Sequence, residues 1–204
     1  MKTTKVRKAG WVVMAVLACL VAVYAIAILI VPALAPPFIV ERRAAMPLAV
    51  YAHIGGSLWA LAIGPWQFTR LRERAVVHRW VGRSYLAGIL VGGFGALALA
   101  PFAQTGTVAS VGFGLLGILW ITCTIAAVVR VRAGDRAAHR RWMIRSFALT
   151  LAAVTLRLYL PASVAAGLPF EIAYPAIAWL CWVPNLIVAE VLVLRRHGVV
   201  ALAA

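Results

Sequence analysis

Apolar residues run along this chain in blocks long enough to cross a lipid bilayer. About 20 are needed for one helical crossing, and six blocks meet that length, over roughly 11–33, 46–68, 80–101, 108–129, 142–163 and 171–194. Prolines stand where blocks end: Pro32, Pro36 and Pro37 after the first, Pro101 at the third, Pro161 near the end of the fifth. A helix can stop there without stranding a donor, because proline has no N–H to lose. The connections are short, and backbone polar groups in lipid must be satisfied within each crossing. The pattern therefore predicts an all-α protein, a polytopic transmembrane bundle of six spans forming one integral membrane domain over residues 1–204. The first block is too long for the apolar region of a secretory signal, and Pro36 follows its single A-x-A-like site, so it is read as a retained span.

Polar residues inside the blocks are not scattered. At 100° per residue, His139, Ser146, Thr150 and Arg157 fall within about 20° of one line on the fifth span. Arg145 lies off that line near the span's beginning, where a headgroup or loop contact is expected. In the second span, His53 begins a face continued by Gly56, Ser57, Ala60, Gly64 and Gln67. Gly56, Ala60 and Gly64, like Gly88, Gly92 and Ala96 in the third span, recur every four residues, a spacing that lets helices approach closely. Two polar layers result. One holds His53, Arg157 and Glu171, with Tyr51 and Tyr159 near. The other holds His78, His139, Arg79, Arg83, Arg141, Arg145, Gln67 and Glu190. Ionisable residues at such depth mark either a site or a pair that holds helices together, with Arg157–Glu171 and Glu190 with an arginine as the candidate pairs.

A short repeat joins the middle spans. "RWVGRS" at 79–84 matches "RWMIRS" at 141–146, each after a histidine, His78 or His139, that trails a tryptophan, Trp59 or Trp120, by the same interval. Spans two and three, and four and five, thus read as related hairpins.

Composition agrees with the pattern. The 204 residues are 65% hydrophobic, with a mean hydropathy of +0.98, which excludes an ordinary soluble domain. Lys and Arg number 20 against 5 Asp and Glu, yet the cations sit between apolar blocks, so no nucleic-acid partner is expected. They distribute by side. Lys2, Lys5, Arg7 and Lys8, the arginines at 70–83, those at 130–145, and Arg195 and Arg196 share one side; only Arg42 and Arg43 lie opposite. The positive-inside rule then puts both termini in the cytoplasm, with the lipid bilayer of a bacterial cytoplasmic membrane as the chain's surroundings. Cys19, Cys123 and Cys181 stand singly within apolar blocks and suggest neither disulfide nor zinc. No G-x-S-x-G elbow, H-E-x-x-H pair, P-loop or paired carboxylate occurs, so no hydrolase or nucleotide chemistry is indicated and catalytic residues are unassigned.

The stretches "AHIGGSLWALAIGPWQF", "HRWVGRSYL", Leu119-Trp120 and "HRRWMIRSFALTLAAVTLRLYLP" together resemble the DUF2306 family of bacterial predicted membrane proteins over about residues 50–161. His53, His78, Arg79, Trp80, His139, Arg141, Trp142, Arg145 and Arg157 are the matching positions. The resemblance implies a multi-span membrane protein and brings no reaction with it.

Three functions follow from the residues. The first is membrane redox: b-type haem ligated by His78 and His139, with Arg79, Arg83, Arg141 and Arg145 facing the propionates, or a quinone at His53 and Arg157, with a redox partner. The second is a binding or carrier protein for a small anionic or lipid-like molecule held by His53, Arg157 and Glu171. The third is a structural or partner-binding subunit. A pair of broken helices, the signature of many transport sites, is not expected, since Pro175 and Pro184 interrupt only the sixth span.

Overall fold

Six helices long and apolar enough to cross a membrane are present in the computed structural model, which describes residues 2–69 and 73–201. They cover Val12–Ile30, Pro47–Phe68, Ala75–Phe102, Thr107–Arg132, Arg136–Ala165 and Phe170–Val193. Each coincides with an expected apolar block, and the described residues contain no strand. Arg70 and Arg72, counted above among the cations of one side, lie outside the described residues.

The helices in chain order are α1 (Lys2–Ile30), α2 (Pro37–Ala45), α3 (Pro47–Ile63), α4 (Ala75–Leu99), α5 (Thr107–Arg132), α6 (Arg136–Thr150), α7 (Ala152–Ala165), α8 (Phe170–Leu180) and α9 (Val183–Ala201). The short α2 starts on Pro37, whose fixed φ suits a first helical turn. Two of the helices that begin earlier than their apolar blocks carry candidate histidines. α4 starts at Ala75 and α6 at Arg136, so His78 and His139 stand within helical turns. The start of α6 has a local cause. Gly134 takes φ +81, which only glycine adopts without strain, and Asp135 then accepts the Ala138 N–H at 2.8 Å as an N-cap.

The chain divides into two compact units, Met1–Gly95 and Ala96–Ala204. In the first, glycines bring α3 and α4 into backbone contact. A Cβ on Gly56 would strike the backbone of Gly88 and Gly92, and one on Gly95 would strike that of Ala49 and His53. The small-residue faces read from the four-residue spacing are thus the faces that meet. In the second unit α5 packs on α6 and α8, α6 on α9, and α7 on α8. Gly112 leaves room for Trp179, whose indole N–H reaches the Val108 carbonyl at 3.1 Å.

Candidate functional site

Span six is interrupted at its centre, and span five bends at its own centre while its backbone stays helical, the Leu151 N–H bonding the Phe147 carbonyl at 3.0 Å and the Leu151 carbonyl accepting the Thr155 N–H at 3.1 Å. α6 gives way to α7 at Leu151, midway along Arg136–Ala165, and α8 gives way to α9 at Cys181 and Trp182, midway along Phe170–Val193. In span six Pro184 supplies no N–H for the Leu180 carbonyl, so the turn opens. Span five has no proline at its bend. There, side chains compete for backbone carbonyls: Thr150 Oγ1 donates to Ser146 O at 3.0 Å, Thr155 Oγ1 lies 2.9 Å from Leu151 O, and Asn185 Nδ2 donates across to Ala148 O at 3.3 Å. Such competition loosens and bends a helix.

The two bends are tied together. Asn185, the only asparagine in the chain, donates to Thr155 Oγ1 at 2.8 Å and lies 3.0 Å from the Cys181 carbonyl. Thr155 Oγ1 approaches the same carbonyl at 2.7 Å. Three polar groups therefore meet halfway along two spans, where lipid offers no hydrogen bond. Neither Thr155 nor Asn185 is among the residues the sequence singles out. An asparagine directly after Pro184 in an apolar block was the available signal.

The polar stripe of span five divides in use. Its first three members turn to α5 and close on it: His139 Nδ1 contacts the Ala127 carbonyl at 2.8 Å, Ser146 Oγ meets Thr124 Oγ1 at 2.8 Å, and the Trp120 indole N–H donates to Thr150 Oγ1 at 2.9 Å. Thr124 spends its proton on the Trp120 carbonyl at 2.7 Å, so Ser146 is the donor between the two hydroxyls. Ser146 and Thr124 are buried. This ladder fastens two helices. Arg157, the fourth member, is half-buried in α7 and donates from Nη1 to the Ala153 carbonyl at 2.9 Å.

Arg145 does not reach for a headgroup as expected. It forms a two-pronged ion pair with Glu190, at 2.5 and 2.7 Å, which joins α6 to α9. Its guanidinium also lies 4.8 Å above the Trp142 ring. The anticipated pairing of Glu190 with an arginine is thereby given its partner. The repeat has a geometric counterpart in the first unit, where Arg83 lies 5.0 Å above the Trp80 ring.

The remaining candidates are placed as follows. His53, half-buried on α3, sets Nδ1 3.1 Å from the Gly92 carbonyl and 3.4 Å from Ser57 Oγ. His78 is half-buried fourteen residues before Gly92 on α4, about 21 Å along the axis, so His53 and His78 occupy separate layers. Arg79 and Arg83 are exposed, and Arg141 is half-buried. Glu171 is exposed in the first turn of α8, beside Phe170 and Tyr174, whose rings stack at 4.8 Å. His53, His78, Arg79 and Arg83 belong to the first unit; His139, Arg141, Arg145, Arg157 and Glu171 belong to the second. No group of three His, Cys, Asp or Glu side chains suited to a metal ion occurs among the described residues.

A family model described as "Predicted membrane protein (DUF2306)" matches residues 50–193. The match extends beyond the resembling motifs and takes in spans five and six. No curated protein matches the chain, and no solved structure matches it.

Proposed function

Since the chain belongs to the DUF2306 family of predicted membrane proteins, a multi-span class whose description names no reaction, we propose that it binds or carries a small anionic or lipid-like molecule. The ligand would enter at the bent middle of spans five and six. One observation carries the reading. Thr155 and Asn185 join two neighbouring spans at the level where both bend, gathering hydrogen-bonding groups halfway along the spans, where lipid offers none. Arg157, two residues beyond Thr155, adds a full positive charge on the same half-span. An intramembrane arginine is costly unless it has a task.

The test is a thermal-shift screen of the purified protein against small carboxylates, phosphates and lipids. A compound that raises the unfolding temperature of the wild type should fail to do so with Asn185→Leu and with Arg157→Leu, both still inserted and helical. A hit that stabilises the variants as strongly as the wild type, or no hit in the whole panel, would remove the reading.

A specific observation favours membrane redox as a second reading. His139 Nδ1 meets the Ala127 carbonyl, so Nδ1 is the donor, and in the neutral imidazole this leaves the Nε2 lone pair for a ligand bond, the arrangement of a haem-ligating histidine. Protein purified from haem-replete cells should then show a Soret band that changes in His139→Ala. Colourless wild-type protein would end this alternative.

A further inference from the structure

The two copies of the Trp-x-x-Arg element differ in one respect that points to a ligand. In the second unit the Arg145 guanidinium stacks on Trp142 and spends its charge on Glu190 inside the fold. In the first unit Arg83 stacks on Trp80 in the same way, at 5.0 Å, but both residues face outward, Trp80 being 65% exposed. Arg79, one turn earlier, is exposed beside them. No carboxylate pairs with Arg79 or Arg83 among the described residues. Two cations four residues apart on one helix repel each other unless an anion lies between them.

The stripe they occupy states what kind of anion. Arg79, Trp80, Arg83, Ala87, Val91 and Phe94 are all exposed and lie within about 60° of one line along α4. The glycine face that meets α3 is turned away from it. Charge is confined to the first turns of this outward stripe, and everything above is apolar. A ligand lying along it therefore needs an anionic head level with the arginines and a hydrocarbon tail level with Val91 and Phe94. Tryptophan at that junction is suited to the boundary between headgroups and chains.

We propose that Arg79, Trp80 and Arg83 form a binding site for the phosphate headgroup of an anionic phospholipid. The two guanidiniums straddle the phosphate oxygens, and the Trp80 ring holds Arg83 in place while lying against the glycerol and upper acyl chain. The site belongs to the first unit and does not depend on the role of spans five and six.

The test measures lipid retained by the full-length protein after extraction from bilayers of equal phosphatidylglycerol and phosphatidylcholine, by mass spectrometry of the bound lipid. Phosphatidylglycerol should be enriched on the wild type. Each of R79Q and R83Q should lower its affinity about fivefold, with the double variant losing the preference. Both side chains are exposed, so folding should be kept, and circular dichroism checks this. R132Q, at another exposed arginine, serves as the control. Trp80→Leu, which keeps both charges, should weaken retention by less than the double variant. Equal loss in R132Q would mean unspecific attraction to basic ends, and unchanged retention in the double variant would mean no site; either overturns the proposal. So would displacement of the lipid by millimolar inorganic phosphate, which would make the site one for free anions.

Discussion

Arg145 shows how far a charged residue's role depends on its partner. An arginine at the start of a span can be served by headgroups, yet this one lies in a two-pronged pair with Glu190 and against Trp142. Removing one member of a fully buried pair costs about 3–5 kcal/mol, because the other charge is stranded. Glu190 keeps 41% of its side-chain surface exposed and Arg145 19%, so solvent and headgroups reach the pair and a smaller loss is expected. Arg145→Leu should cost about 1–2 kcal/mol in unfolding from detergent micelles. Adding Glu190→Leu should restore most of it. A double variant as unstable as the sum of the singles would show that the two residues act separately. The charge of Arg145 and its place near the beginning of span five were legible in the chain. Glu190, 45 positions away, was named only as the partner of some arginine, since four arginines and two histidines shared its layer.

Among elements, the α3–α4 hairpin is the part most fully foreseen. Glycines at four-residue intervals predict backbone contact, and the contact is there. A sharp contrast between neighbours follows. Gly56→Ala places a methyl against the backbone of Gly88 and Gly92, which cannot yield as a side chain would, and should cost about 1–3 kcal/mol. Gly55→Ala meets nothing within 4 Å and should be neutral or slightly stabilising. Equal unfolding midpoints for the two variants would show that α3 and α4 do not meet on this face. Span five was foreseen less well. Its polar stripe is real in angle, but three of its four members serve the α5–α6 seam, and the bend at Leu151 has no glycine or proline to announce it. It arises from hydroxyl and amide groups that take carbonyls away from the helix, one of them arriving from span six.

For the whole molecule, the division of cations gives a topology that can be tested directly. Reporter fusions at Ala204 and near Thr105 should register on opposite sides of the membrane, with the C-terminus cytoplasmic. A C-terminus on the far side would invert the assignment of every loop. What the sequence by itself determined is the membrane setting, the all-helical class, the six spans, the related Trp-x-x-Arg elements and the close approach of α3 to α4. These depend on block length and on angles along one helix, which are local quantities. Only the tertiary structure decided that Arg145 belongs to Glu190, that Ser146 and Thr150 close on α5, and that Asn185 and Thr155 join spans five and six where they bend. A residue's angle on its own helix says which way it points and leaves open which helix stands there; the packing of spans against one another supplies that neighbour.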